Sequence, residues 1–394
     1  MVSLSDYARE VLKRIDSVEA LEVLKRAISI EGHKEHPKKE IETGEFYSSL
    51  LEKYGLDVTT QEVTDGRFNV IAYLRGECEE PTLMYNSHMD TVPPYGMIEP
   101  FKPIVKDGKI YGRGACDAKA SLMAFAVAAK ALVEAAPPLK GSLLLVGAMG
   151  EESESIGTRF LIEHGPRADM AVVGEPTEMK ACVAHKGELN VHVTVHGSLA
   201  HSSTPHLGVN AISKMGRVIF RLDDELSRVL SRKKHKLLGG MTHCMSMIKG
   251  GIYPALVPDR CELTVNVRLL PNVSKEEILS IFRSILEDMV KEDPELKFEL
   301  NYSHSMPPLE ISEDHVLVSA LINAIEKVTG QKANITGAPY HTDGGLLSTE
   351  ANIPTLVCGP GSIEQAHSAV EYVPIQEYLT ACKVFALTAL ELLL

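Results

Sequence analysis

The 394-residue sequence has no tryptophan, and aromatic residues make up only 5% of it. Its net charge is −13 at pH 7, so it lacks the excess of basic residues that nucleic-acid binding needs. No apolar run reaches the ~20 residues of a membrane-spanning helix. The N-terminal stretch MVSLSDYAREVLKRID has the pattern of an amphipathic helix and not of a signal peptide. We therefore expect a cytoplasmic protein with no nucleic-acid and no membrane partner.

Several catalytic and metal-binding signatures are also missing. The seven cysteines are widely spread and include no C-x-x-C pair, which favours free thiols in a reducing compartment. The sequence contains neither the G-x-S-x-G motif of serine hydrolases nor the H-E-x-x-H motif of helical zinc proteases. The Gly-rich stretch GRGACDAKAS lacks the lysine of a phosphate-binding loop, and its aspartate would repel a phosphate.

The apolar residues that are present predict a two-domain α/β protein. Hydrophobic residues make up 44% of the chain, enough for a large core. Short apolar runs alternate with helical patterns, which indicates a mostly parallel sheet flanked by helices. The runs are FNVIAYL, TLMYNSH, GSLLLVGAM, DMAVVGE and IPTLVCG.

The pattern changes between residues 182 and 298. Stretches such as ELNVHVTVHG and RCELTVNVRLL alternate apolar and polar residues, as strands with one wet face do. Two amphipathic helical patterns accompany them. We predict an inserted α+β domain with an antiparallel sheet over 182–298, and a catalytic, metal-binding domain formed by 1–181 and 299–394.

Acids and histidines follow the ends of the apolar runs of the first domain. Because the carboxyl ends of parallel strands meet at one edge of a sheet, these side chains are expected to lie close together. Adjacent carboxylates repel one another unless a cation lies between them. Imidazoles with carboxylates suit zinc or another first-row divalent ion. The residues are His88, Asp90, Glu151, Glu152, Glu175 and His367, with Asp117 in the loop before an Ala-rich helix.

Each of these residues alone has a simpler structural explanation. A single histidine is commonly a core residue, Asp117 could cap the following helix, and the Glu151–Glu152 pair could form a solvated turn. Their joint placement at several strand ends is what predicts a metal site. A set of five ligands drawn from these seven residues would suit two ions that share one carboxylate, and Asp117 is central in this order.

Five segments resemble the M20 family of dinuclear metallo-hydrolases. They are SHMDTVP, GRGACDAKAS, GEESESIGT, GEPT and GPGSIEQAHSAVEYVP. The nearest branch is that of acetylornithine deacetylase, succinyl-diaminopimelate desuccinylase and carboxypeptidase G2, and the resemblance spans nearly the whole chain. It implies two divalent ions, zinc first, with cobalt or manganese as alternatives. It also implies a cis peptide bond after Asp117.

The resemblance assigns a role to each of these residues. His88 and Glu175 would bind one ion and Glu152 and His367 the other, while Asp117 would bridge the two. Asp90 would orient His88. Glu151 would be the general base that activates a water between the metals.

The resemblance further implies hydrolysis of the amide bond of an N-acyl amino acid. The family's deacylase and carboxypeptidase branches have glutamate at position 175, whereas its aminopeptidases and tripeptidases typically have aspartate. The alternatives are a dipeptidase or carboxypeptidase, a metal-binding protein that has lost catalysis, or the cleavage of another C–N bond. The intact Glu151 argues against the inactive protein, since binding alone does not need a general base.

The inserted domain is implied to be a lid that also forms a homodimer. His201, in GSLAHSSTPHLGVNAI, would reach the neighbouring subunit's site and stabilise the tetrahedral oxyanion. Arg268 would bind a substrate carboxylate, and Asp343 and His341 would face the substrate. The segment GGIYPALVPD has Ala255 where the family often has asparagine, so the resemblance does not name the substrate.

Overall fold

The computed structural model describes residues 3–78 and 80–394, which form two compact units. The first unit runs up to Val183 and resumes with Leu309–Thr336 and Thr342–Leu394. The second consists of Ala184–Pro308 and Gly337–His341. Its later boundary differs from the predicted residue 298, because the strand that begins at Lys297 continues to Met306. The return of Gly337–His341 to the second unit was not predicted.

The described residues contain the following elements. The α-helices are α1 (Leu4–Lys13), α2 (Ser17–Ile28), α3 (Ile41–Lys53), α4 (Lys119–Ala135), α5 (Ile156–His164), α6 (Ala211–Leu230), α7 (Lys275–Glu292), α8 (Val316–Thr329), α9 (Asp343–Thr349) and α10 (Ile375–Leu393). The strands are β1 (Asp57–Thr64), β2 (Arg67–Leu74), β3 (Thr82–His88), β4 (Ile104–Lys106), β5 (Lys109–Tyr111), β6 (Ser142–Ala148), β7 (Met170–Val173), β8 (Ala181–His185), β9 (Gly187–His196), β10 (Ala200–His201), β11 (Lys234–His235), β12 (Gly239–Gly240), β13 (Thr242–Gly250), β14 (Leu256–Val257), β15 (Arg260–Leu269), β16 (Lys297–Met306), β17 (Leu309–Glu310), β18 (Ile335–Ala338), β19 (Thr355–Val357) and β20 (Tyr372–Pro374).

The large sheet of the first unit is mixed. Its strand order is β1-β2-β6-β3-β7-β19-β8-β17, and β18 pairs with β8. The four central strands β6, β3, β7 and β19 run parallel, as predicted. The prediction of a mostly parallel sheet is wrong beyond them, since β1 pairs antiparallel with β2, and β2 with β6. A two-residue turn at Asp65-Gly66, both with positive φ, closes the β1–β2 hairpin and reverses the chain.

Helix α4 covers the centre of this sheet. It contacts α10 and α2, and most of its residues are buried. Tyr85 on β3 stacks on Phe125 of α4, with ring centroids 4.6 Å apart. The helix ends at Ala136 in the left-handed conformation, directly before two prolines. Because α4 begins at Lys119, its N-terminus directly follows Asp117.

The second unit is a four-stranded antiparallel sheet with two long helices. The strand order is β13-β15-β9-β16. Alternate residues of β9 and β15 are buried and form one core with α6 and α7. Asn210 and Ser274 cap the two helices by accepting backbone N–H groups. The alternation read from the sequence therefore corresponds to a sheet with one face covered by helices.

Two further features concern the described part of the chain as a whole. No helix within it combines the length and the apolar character needed to cross a membrane. The seven cysteines form no disulfide bond within residues 3–78 and 80–394.

Candidate functional site

The parallel register brings the predicted strand ends to one edge of the large sheet. His88 at the end of β3 pairs with Ala148 at the end of β6. Val173, which ends β7, pairs with Asn86 of β3 and with Val357 of β19. The segments that follow these strands therefore start side by side, and they carry the predicted acids and histidines.

One group of three side chains could hold a metal ion between β3, β7 and the loop before α4. His88, Asp117 and Glu175 each offer a ligand atom, and these atoms all lie within 4.8 Å of one another. The Nε2 atom of His88 lies 3.0 Å from Oδ1 of Asp117 and 3.5 Å from Oε1 of Glu175. All three residues are buried. The peptide bond from Asp117 to Ala118 is cis, as the resemblance implied.

A second group shares Asp117. It consists of Asp117, Glu152 and His367, again with ligand atoms within 4.8 Å of one another. The Nε2 atom of His367 lies 3.0 Å from Oε1 of Glu152 and 3.4 Å from Oδ2 of Asp117. His367 has a φ of 56°, and 53% of its side chain is exposed. Asp117 therefore offers one oxygen to each group.

The charges of this edge favour a bound cation. Burial raises the pKa of the Glu175 carboxyl well above its usual value, and the carboxylate of Asp117 contributes in the same direction. Burial also raises the pKa of Glu152. The pKa of Asp117 is lowered, because hydrogen bonds with His367 and His88 outweigh the effect of burial. Carboxylates outnumber imidazoles in the two groups. Divalent cations bound by the carboxylate oxygens would therefore relieve the repulsion between the carboxylates.

Glu151 lies beside this arrangement but belongs to neither group of three. Burial raises the pKa of its carboxyl well above the usual value. His88 opposes this shift, while Asp343 and Glu175 add to it. A partly buried carboxyl outside both groups is available to exchange a proton with a water or a substrate at this edge.

Asp90 contacts this region in two ways. Its carboxylate accepts the backbone N–H groups of Glu151 and Glu152, at 3.1 and 3.2 Å. The Nδ1 atom of His88 lies 2.9 Å from the main-chain carbonyl of Asp90 and 3.4 Å from its carboxylate. The closer contact that orients His88 is thus the carbonyl, whereas the resemblance had assigned that role to the carboxylate. If Nδ1 donates its proton there, Nε2 keeps a lone pair for an ion.

A buried ion pair behind Asp117 was not predicted from the sequence. Arg113 and Glu371 are 1% and 0% exposed, and their closest atoms are 2.6 Å apart. Both lie inside segments already noted, GRGACDAKAS and GPGSIEQAHSAVEYVP. Arg113, a charged residue among glycine and other small residues, was a sign in the sequence that pointed to an ion pair here. Nothing near it in the sequence identified Glu371 as its partner.

Asp343 lies in the first unit at the start of α9. It is buried, and one of its oxygens accepts the hydroxyl of Thr158 at 2.7 Å. Burial raises its own pKa, and it is one of the groups that raise the pKa of Glu151.

The remaining predicted residues lie in the second unit. Arg268 Nη1 is 2.7 Å from Oε2 of Glu188, and the same oxygen is 3.2 Å from Nδ1 of His341. The guanidinium expected to bind a substrate carboxylate thus has a protein carboxylate beside it. His201 is exposed, and its Nδ1 accepts the backbone N–H of Ser203 at 3.1 Å. In the neutral imidazole, the proton is therefore on Nε2.

Comparisons with known proteins agree with this architecture. Residues 84–391 match the model of Peptidase family M20/M25/M40. The structure superposes on the aminopeptidase PepT of Bacillus cereus with a TM-score of 0.80 at 21% identity, covering 96% of this chain and all of that one.

Two sequence relatives are named as deacylases. A probable succinyl-diaminopimelate desuccinylase of Staphylococcus epidermidis is 28% identical, over 93% of this chain and 95% of its own length. An acetylornithine deacetylase of Proteus mirabilis is 31% identical, over 83% of each chain. The chain therefore belongs to the M20 peptidase family, and it is a metal-dependent hydrolase of amide bonds.

Proposed function

We propose that the protein is a dinuclear-metal-dependent deacylase that hydrolyses the amide bond of an N-acyl amino acid. One observation carries this proposal: two candidate ion sites share Asp117, while the neighbouring Glu151 remains outside both. A protein that only stored metal would not need a further, partly buried carboxyl next to His88 and Glu175.

In this proposal His88 and Glu175 would hold one ion, Glu152 and His367 would hold the other, and Asp117 would be shared by both. The donor set of imidazoles and carboxylates suits Zn²⁺, with Co²⁺ or Mn²⁺ as alternatives. The ions, when bound, polarise the amide carbonyl and make a water more acidic.

The protein's own residues carry the proton. Glu151 takes a proton from the attacking water and donates it to the nitrogen of the leaving amine. Because Glu151 belongs to neither group of three, its carboxylate is available for both steps. Asp90 holds the backbone of Glu151 and Glu152 while this happens. The products are a free carboxylate and an amine.

Two observations bear on the substrate. Position 175 is glutamate, as in the deacylase and carboxypeptidase branches that the sequence resembles, which disfavours an aminopeptidase or tripeptidase. The relatives described above are named as deacylases, whereas the peptidase neighbour is alike in fold only. A dipeptidase or carboxypeptidase of the same family is the second candidate, and one substrate panel distinguishes it.

The inserted unit is proposed to act as a lid that supplies the substrate contacts. Arg268 is assigned to a substrate carboxylate, because a planar guanidinium can bind a carboxylate through two N–H groups. His341 and Asp343 are assigned to the substrate as well. His201, with its proton on Nε2, is proposed to donate to the oxyanion in the partner subunit's site.

A homodimer through this unit is part of the proposal. Strand β13 is an edge strand, and two of its large apolar side chains, Met247 and Ile248, are 70% and 60% exposed. Phe220 on α6 and Ile252 directly after β13 are exposed as well. An apolar edge strand exposed in this way favours pairing with a second copy of the chain.

The test is the substitution Glu151→Gln. The variant should still bind two Zn²⁺ per chain, measured by elemental analysis after dialysis, because Glu151 is not a proposed ligand. Its turnover of an N-acetyl amino acid should fall by about 10²–10⁴-fold, the range for a general base. Glu154→Gln, in the same loop but exposed, is the matched control and should keep both metal and activity.

The assay compares a panel of N-acetyl amino acids with a panel of dipeptides. Faster hydrolysis of dipeptides would favour the peptidase. Undiminished turnover by Glu151→Gln would contradict the mechanism, whatever the substrate.

A further inference from the structure

The Glu371 carboxylate is bound to a segment far from it in sequence. Its Oε2 atom accepts Nη1 of Arg113 at 2.6 Å and the backbone N–H of Gly114 at 3.0 Å. Its Oε1 atom accepts the backbone N–H groups of Cys116 at 2.8 Å and of Asp117 at 3.0 Å. A single buried carboxylate therefore fixes the backbone of the loop that ends at Asp117.

Arg113 extends the same connection toward His367. Its Nη2 atom donates to the carbonyl of Ser368, the residue after His367, at 3.0 Å. It also donates to the carbonyl of Pro94 at 3.0 Å. We call this pair of residues, Arg113 and Glu371, the Arg113–Glu371 clamp. It joins the segment of Asp117 to the segment of His367.

Packing alone does not explain a buried ion pair at this place. Removing two charges from water is unfavourable, and apolar residues of the same size often stabilise a protein equally well. Apolar residues could not accept three loop amides, however, nor bind the carbonyl beside His367. His367 itself is half exposed and has a positive φ, so its position needs support from the surrounding structure.

The clamp acts unequally on the two candidate ion sites. It holds Asp117 and the segment of His367, which are two of the three members of the second group. Of the first group it holds Asp117 alone. We propose that Glu371, together with Arg113, is a positioning residue that sets the distance between Asp117 and His367 and thereby the affinity of the second ion. This inference rests on the proposed function.

The experiment uses Mn²⁺ as the probe. Metal-free full-length wild type and the variant Glu371→Gln are titrated with Mn²⁺, and the free ion is followed by EPR spectroscopy. We expect the wild type to bind two ions in two steps. His367→Ala removes a ligand of the second group only, so it identifies which step belongs to that site.

In Glu371→Gln, the step of the second site should weaken by about 10–100-fold, the usual effect of a residue that orients a metal ligand. The other step should change by less than about threefold. The lost kcat should return at high Mn²⁺, because the variant keeps every proposed ligand. A residue that only stabilised the fold would lower the unfolding temperature without this selectivity.

Asp293→Asn is the control. Asp293 forms a partly buried ion pair in the second unit, with Lys214, at 2.6 Å. Its substitution should lower the unfolding temperature and leave both Mn²⁺ steps unchanged. If Glu371→Gln does not fold, Arg113→Lys decides, since it keeps the positive charge but loses the fork that reaches Ser368. It should show the same selective weakening.

Equal weakening of both steps, or of neither, overturns the inference. If the wild type binds two Mn²⁺ and hydrolyses the substrate while the variants keep both affinities, the inference alone fails. If the wild type binds no Mn²⁺ and hydrolyses nothing, the proposed function fails and the inference with it.

Discussion

The exchange Asp90→Asn tests how the glutamate loop is held against the two ion sites. Asp90 is buried, and its carboxylate accepts the amides of Glu151 and Glu152 at 3.1 and 3.2 Å. Asparagine has the same shape, but it offers one acceptor oxygen and turns an NH₂ group toward the second amide. At least one charge-assisted hydrogen bond is therefore lost.

The expected loss of activity in Asp90→Asn follows from two independent magnitudes. A hydrogen bond to a charged group contributes about 1.5–3 kcal/mol. Loss of a group that orients metal ligands costs roughly 10–100-fold in affinity or activity, which is about 1.4–2.7 kcal/mol. The ranges agree, so we expect Asp90→Asn to lower kcat/KM by about 10–100-fold and to weaken Zn²⁺ binding.

The assay measures kcat/KM on an N-acetyl amino acid, and Zn²⁺ affinity by competition with a chromophoric chelator. Asp16→Asn is the control, because Asp16 also accepts two successive backbone amides, those of Val18 and Glu19 at the start of α2, although through its Oδ1 atom alone. It should leave both quantities unchanged. If Asp90→Asn stayed within twofold of wild type in both, the carboxylate would not be holding the glutamate loop.

Two further outcomes are expected. A hybrid dimer of one Glu151→Gln chain and one His201→Ala chain can be purified through two different tags. One of its two sites should combine an intact Glu151 with an intact His201 and give about half of the wild-type activity. An inactive hybrid would contradict the contribution of His201 across the interface. Gly157→Ala should lower the free energy of unfolding by about 1–3 kcal/mol in a denaturant titration, because the new Cβ would lie 2.4 Å from the Met149 carbonyl oxygen. Gly216→Ala is its control: nothing lies within 4 Å of its Cβ, so it should stabilise α6 by about 0.4–1 kcal/mol, and a loss at Gly216 would refute the packing argument.

The local sequence pattern predicted secondary structure correctly where one type of residue dominates a segment. The run TLMYNSH was predicted as a strand, and β3 covers Thr82–His88. The Ala-rich pattern before Pro137 was predicted as a helix, and α4 covers Lys119–Ala135. Both succeed because apolar continuity and helix-breaking residues act within a few positions along the chain.

Strand direction was harder to predict. FNVIAYL has the apolar continuity of a central parallel strand, and β2 is buried over much of its length. It nevertheless pairs antiparallel on both sides. The Asp65-Gly66 turn decides the pairing of β2 with β1, and the sequence of β1, DVTTQEVT, is too polar to be recognised as a strand from its own pattern.

The polar contacts of the second unit could not be predicted from the sequence either. Arg268 was expected to bind a substrate carboxylate, and nothing in VNVRLLP indicates that Glu188 lies beside it. The two are directly opposite one another in the β15–β9 register, which only the folded sheet defines.

The sequence by itself determined which residue types stand at the strand ends, and therefore that carboxylates and imidazoles would gather at one edge. That followed from the order of apolar runs and the common direction of the central strands. Only the tertiary structure decided that Asp117 is shared by two groups, that Asp90 holds the amides of Glu151 and Glu152, and that Glu371 binds the amide of Asp117 across 254 positions. A hydrogen bond needs its donor and acceptor within about 3 Å. Sequence patterns relate residues that are near one another along the chain. Contacts between residues far apart in sequence are therefore defined only by the folded structure.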